Sequence, residues 1–138
     1  MKGDKIGYRE GYKYQLAKDY SLKVPVDTPT EINHDFIRLA VDGTLTVREG
    51  YAWDGPSGPT IDTPSSMRAS LVHDALYQLM REELIGMHNR PIADELLYQI
   101  CIEDGMWGWR AWFWRREVKK FAAAAAMPEN EKAVITAP

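Results

Sequence analysis

Four side chains in this 138-residue sequence have types and spacings suited to acid–base chemistry: His73, Asp74, Tyr77 and Asp94. His73 and Tyr77 are four apart, so on a helix they share a face, while Asp74 is turned about 100° away. Asp94 lies in a second apolar-periodic run, on one face with Leu97, Tyr98 and Cys101. If the two helices pack antiparallel, Asp94 reaches the far nitrogen of His73. A carboxylate there fixes the imidazole tautomer and stabilises the imidazolium as it forms. Tyr77 can donate its hydroxyl to the same carboxylate. His73 is then a candidate general base for an attacking water.

The segment before His73 supplies a second half. Residues 53–66 hold Trp53-Asp54-Gly55-Pro56-Ser57-Gly58-Pro59 and end in Pro64-Ser65-Ser66. Three prolines and two glycines exclude regular structure and make this a loop, a candidate site for a metal or an anion. Gly55 and Gly58 allow close backbone approach to a ligand. Carbonyls of Trp53, Gly55 and Ser57 can converge on a hard cation, with Asp74 as its charged ligand. Oxygen-only ligation of this kind suits calcium. Zinc suits it less, because no second histidine or cysteine stands nearby. The Gly55 N–H is a candidate oxyanion donor.

The elements that must hold these groups read as α+β, with an antiparallel β region first and helices after. Tyr12, Tyr14 and Leu16 alternate with polar neighbours, as do Leu22, Val24 and Val26. Residues 36–41 and 44–47 flank Asp42-Gly43, a two-residue hairpin signal. A helix is expected over about 66–84, capped by Ser65 or Ser66 and broken by Gly86 and the Asn89/Pro91 pair. A second helix starts near Pro91, with Ala93, Leu96, Leu97, Ile100 and Cys101 in period. A third spans roughly 109–126. The expected organisation is one domain over 1–126, β-rich over 1–52 and helical over 66–126, with a flexible tail at 127–138.

Bulk properties narrow the classes. The net charge of −3 gives no general attraction to nucleic acid. The single cysteine, Cys101, excludes an intrachain disulfide and reads as a buried thiol made in a reducing compartment. No apolar stretch follows Met1–Lys5, so no signal peptide is expected, and no run approaches a membrane span.

The loop and the helix together resemble phospholipase A2. Trp53–Gly58 followed by His73-Asp74-Ala75-Leu76-Tyr77 is similar to that family's calcium loop and catalytic helix. Asp94 follows at a spacing similar to the compact bacterial enzymes and to the phospholipase domain of parvovirus capsid proteins. The parvoviral form resembles this chain in its Gly-Tyr-x-x-x-Gly-Pro opening, here Gly50–Pro56, and in an Ala-Asp pair, here Ala93-Asp94. Ser57 stands where that family carries Gly, and Trp53 where it usually carries Tyr. The chain also resembles a family of small phage and prophage proteins of unassigned function. That likeness rests on Ala69–Tyr77 and Arg90–Asp94 and covers roughly residues 30–121, against about 50–101 for phospholipase A2. The resemblances imply a phage-encoded, calcium-assisted esterase acting on the sn-2 ester of a phospholipid. Catalysis would use His73, Asp94 and Tyr77, the oxyanion site Gly55, and the metal site Trp53, Gly55, Ser57 and Asp74. The alternative is a non-catalytic virion or tail-associated protein, made in the host cytoplasm, that keeps the scaffold.

Other readings compete. His73, Tyr77, Asp94 and Arg90 can simply satisfy one another between two helices. A phosphohydrolase-type His…His-Asp…Asp metal set would need His34, which precedes a strand. Trp107, Trp109, Trp112 and Trp114 interleave with Arg110, Arg115, Arg116, Lys119 and Lys120. Trp107 and Trp114, seven apart, read as core. Trp107, Trp109, Trp112, Arg110 and Arg115 are also candidates for an interface, either with phage tail or virion proteins or with a phospholipid surface.

Overall fold

The computed structural model describes residues 8–9, 14–53 and 64–125, with side chains over 14–53 and 66–119. Among the described residues seven short strands come first: β1 (Tyr8–Arg9), β2 (Tyr14–Leu16), β3 (Tyr20–Lys23), β4 (Ile32–His34), β5 (Ile37–Leu39), β6 (Thr44–Val47) and β7 (Ala52–Trp53). The helices described after them are α1 (Pro64–Arg81), α2 (Arg90–Glu103) and α3 (Gly108–Ala125), with a 3-10 turn at Met87–Asn89 before α2. The chain is therefore α+β. It divides into two compact units, the strands in the first and the helices in the second, with the division in sequence after Asp54. Tyr12, Gly55, Ser57 and the 127–138 segment lie outside the described residues.

In the first unit all strand pairs are antiparallel. β1, β2 and β7 form one sheet, and β3, β6, β5 and β4, in that order, form another. Register follows from the alternation of apolar residues. Leu45 on β6 stands between Leu22 and Leu39, and Val47 stands between Tyr20 and Ile37. All six are buried, so two cross-strand rows fill one face. On the other face Ser21 and Thr46 share a 2.8 Å hydroxyl hydrogen bond.

The β5–β6 connection differs from the two-residue turn expected for Asp42-Gly43. Ala40 N–H donates to Thr44 O at 2.9 Å, and Gly43 N–H donates to Ala40 O at 3.0 Å. Three residues, Val41, Asp42 and Gly43, thus span the turn. Among the described residues here only Gly43 has a positive φ (94°), whereas the two-residue turn needs two such residues. Asp42 instead accepts from Thr44 N–H through Oδ1 at 2.9 Å. That bond holds the Asp42 carboxyl below its ordinary range.

In the second unit α1 begins at Pro64, a favoured first-turn residue, so Ser65 and Ser66 lie inside the helix rather than capping it. It ends at Arg81, three residues before the expected stop at 84. Glu83 adopts φ 60°, its N–H donates to Met80 O at 3.0 Å, and Leu84 N–H donates to Leu79 O at 2.9 Å. This is a left-handed Schellman stop, so the helix closes at Glu83 without waiting for Gly86. α2 closes the same way with a glycine: Gly105 has φ 99° and donates to Ile102 O, while Met106 donates to Cys101 O.

Burial sets the roles of the helices. From Ser66 to Met80 every residue of α1 is buried except Asp74. α2 buries Ala93, Asp94, Leu96, Leu97, Ile100 and Cys101. α3 buries Ala111, Trp114 and Val118. Trp107 is not core as its spacing from Trp114 suggests. It precedes α3, which starts at Gly108, and is 71% exposed. Among the described residues no helix is long and apolar enough to cross a membrane.

Candidate active site

Arg68, near the start of α1, pairs with Asp104 just past α2, while Tyr77, further along α1, meets Asp94 near the start of α2. The two helices therefore run antiparallel, and this direction brings the polar residues of their facing sides into register.

At the centre is one oxygen. His73 Nε2 lies 2.8 Å from Asp94 Oδ1, and the Tyr77 hydroxyl donates to the same Oδ1 at 2.8 Å. His73 and Asp94 are each only 3% exposed. The His73 and Tyr77 rings, one helical turn apart, stack with centroids 4.2 Å apart and planes 28° from parallel. A carboxylate accepts, so Nε2 carries the proton of the neutral imidazole and the lone pair is left on Nδ1. Tyr77 is fixed as a donor as well. Burial, then the charge and hydrogen bond of Asp94, push its phenol well above its ordinary 10.0. The nearby Arg90 charge and hydrogen bond pull the other way and lose.

Nδ1 of His73 faces Asp74. The Nδ1–Oδ1 separation is 4.0 Å, too long for a hydrogen bond and wide enough for a single oxygen atom to contact both. Asp74 is half-buried, and it is the one place where α1 between residues 66 and 80 reaches solvent. The imidazole nitrogen that Asp94 does not hold is thus on the side of Asp74.

Trp53, a candidate carbonyl donor, is a buried β7 residue in the first unit. Its ring lies 5.8 Å from Tyr14 and 6.4 Å from Tyr51. Gly55 and Ser57 are outside the described residues, so of the four candidate metal ligands the helical unit shows Asp74. Among the described residues no group of three or more His, Cys, Asp or Glu side chains is placed to hold a metal. A calcium site at Asp74 would need further oxygen ligands besides its carboxylate. His34 sits at the end of β4 in the first unit, with Nε2 3.6 Å from Asp35 Oδ2.

Arg68 carries structural weight that sequence reading missed. It is 4% exposed, and its Nε and one terminal nitrogen bond both oxygens of Asp104, each at 3.0 Å. The same terminal nitrogen bonds Glu103 Oε1 at 2.9 Å. This fork locks the start of α1 to the end of α2, a turn or more from His73. Its signal lay in the sequence only as an arginine in an otherwise small and apolar stretch, Met67–Val72.

The candidate interface residues divide. Trp109 and Trp112 are 68% and 48% exposed, like Trp107, and Arg110 is half-buried. Arg115 turns inward: it bonds Glu95 Oε1, and its guanidinium lies 4.5 Å over the Tyr98 ring. Phe113 and Arg116, not singled out as interface residues from the sequence, stand outward instead.

Compared with protein-family models, with curated proteins and with solved structures, the chain has no match.

Proposed function

We propose that this protein is a phage-encoded, phospholipase A2-like esterase in which His73 is the general base. The observation that carries this reading is the orientation of the imidazole. Asp94 holds Nε2, and Nδ1 faces the solvent-reaching Asp74 at 4.0 Å. A base in this setting is preset in tautomer and aim.

The chemistry is ordinary ester hydrolysis. A water between Nδ1 and Asp74 gives a proton to Nδ1 while its oxygen adds to the acyl carbon. The imidazolium is stabilised by Asp94 through Nε2–H. The adduct collapses with breakage of the acyl carbon–oxygen bond, and Nδ1 returns the proton to the departing alkoxide. Tyr77 keeps Asp94 pointed at His73 throughout. Bound calcium would supply Lewis-acid polarisation of the ester carbonyl, and Asp74 is the described side chain suited to hold it.

The test is fatty-acid release from phospholipid–detergent micelles with calcium and with chelator. Release that needs calcium and is lost in His73→Ala and Asp74→Ala supports the reading. No release at saturating calcium from folded protein overturns it.

A second reading has its own observation. His73, Tyr77 and Asp94 are almost fully buried and satisfy one another, which is also what a structural polar bridge between two helices needs. On that reading the chain is a virion or tail-associated component that retains the scaffold without turnover.

A further inference from the structure

Helix α3 has two opposed stripes. Ala111, Trp114 and Val118 are buried, and at about 100° per residue they mark one side of the helix. Trp109, Trp112, Phe113 and Arg116 follow the i, i+3, i+4, i+7 pattern on the other side. All four are exposed, and Trp107 and Ile102 extend the apolar area beyond the start of the helix. Trp107 and Trp109 lie 6.3 Å apart, and the Arg116 guanidinium lies 5.7 Å over the Trp112 ring. This is a built aromatic ridge with its inner side anchored.

Charge identifies what the ridge fits. α3 carries five basic residues, Arg110, Arg115, Arg116, Lys119 and Lys120, and one acidic residue, Glu117, in a chain whose net charge is −3. Basic charge is thus concentrated on the helix that exposes the indoles. Arg115 is spent on Glu95 and Tyr98 and Arg110 is half-buried; among the described side chains the exposed Arg116 and Lys119 flank the ridge. Tryptophans beside long basic side chains suit the headgroup level of a bilayer, where an indole has an apolar body and a polar N–H. Anionic headgroups complement the basic flank.

We propose that the outward face of α3 binds an anionic phospholipid surface, with Trp109, Trp112 and Phe113 inserted at headgroup depth and Arg116 and Lys119 on lipid phosphates. This face lies outside residues 50–101 and does not depend on the hydrolase reading.

The experiment is co-sedimentation of the full chain, in chelator, with vesicles of phosphatidylcholine alone or mixed with phosphatidylglycerol. Chelator stops calcium-assisted turnover, so binding is read by itself. The expected result is binding to the mixed vesicles, a blue shift of tryptophan emission, and much weaker binding to phosphatidylcholine. Trp109→Ser/Trp112→Ser/Phe113→Ser should weaken binding at least about tenfold with unchanged circular dichroism. Arg116→Glu and Lys119→Glu should each cost about fivefold or more, with loss of salt dependence. No binding to mixed vesicles at low salt overturns the proposal, as does binding that the triple variant leaves intact. So does a dimer, seen by analytical ultracentrifugation, that the triple variant dissociates and that does not bind vesicles: the ridge would then seat a second copy of the chain.

Discussion

The Tyr77 hydroxyl donates to the same Asp94 oxygen that His73 holds, at the same 2.8 Å. Two donors on one buried oxygen restrict the carboxylate more than either alone, and the stacked rings prevent either donor from swinging away. Tyr77→Phe keeps the stack and removes one bond. The expected cost is about 1–2 kcal/mol of stability by urea unfolding, with a smaller loss in any hydrolytic rate than His73→Ala causes.

The same residue sets an alkaline limit. The Tyr77 phenol is raised above 10.0 in the folded chain, so the native state keeps a proton that the unfolded chain releases above pH 10. Its contribution is whole below pH 10 and is lost as pH climbs toward the folded value. Urea midpoints should therefore fall between pH 10 and 11 more steeply for wild type than for Tyr77→Phe. Equal slopes for the two would show that Tyr77 is not the group responsible.

Asp94 separates positioning from burial. Asp94→Ala strands the imidazole N–H and the phenol O–H, at about 2–5 kcal/mol. Asp94→Asn keeps a polar group in nearly the same volume and should cost less stability. It removes the charge that steadies the imidazolium, so any esterase rate should still fall about 10²–10⁴-fold. A rate profile against pH would then change shape for Asp94→Asn. If the bridge only held the helices together and the chemistry lay elsewhere, the profile would keep its shape.

How much of this was legible depends on which forces each element rests on. The His73–Asp94 contact could be read from spacing because antiparallel helices and the i, i+4 rule leave few alternatives. The α+β order could be read from where period-2 alternation gives way to period 3.6. Arg68 could not, since its partners Glu103 and Asp104 are distant in sequence and the chain pattern does not mark a buried arginine. Trp107 misled because seven-residue spacing implies a shared face only inside a continuous helix, and α3 starts one residue later. Asp42-Gly43 misled because its hydrogen bond to Thr44 stabilises a conformation with one left-handed residue rather than two.

Arg68 offers a test of the helix clamp. Removing it takes away the cation that Glu103 and Asp104 share. Arg68→Met should cost about 3 kcal/mol. Arg68→Lys should recover little, because an ammonium cannot bond both Asp104 oxygens as the planar fork does. Chemical denaturation of the two variants beside wild type measures this. Recovery of wild-type stability by lysine would mean that the charge, not the fork, holds α1 to α2.

Glu83 and Gly105 occupy equivalent positions in two helix stops, one with a side chain and one without. A residue other than glycine in the left-handed region costs about 1 kcal/mol, because its Cβ crowds the backbone. Glu83→Gly should therefore stabilise the protein by up to about 1 kcal/mol, the relief of strain being offset in part by the larger entropy of the unfolded chain. Gly105→Ala runs the other way. Nothing lies within 4 Å of where its Cβ would stand, so any loss reports backbone strain alone, again about 1 kcal/mol. Thermal melts of the two variants should move in opposite directions. If both fell, the Glu83 side chain would be making a compensating contact worth more than the strain it carries.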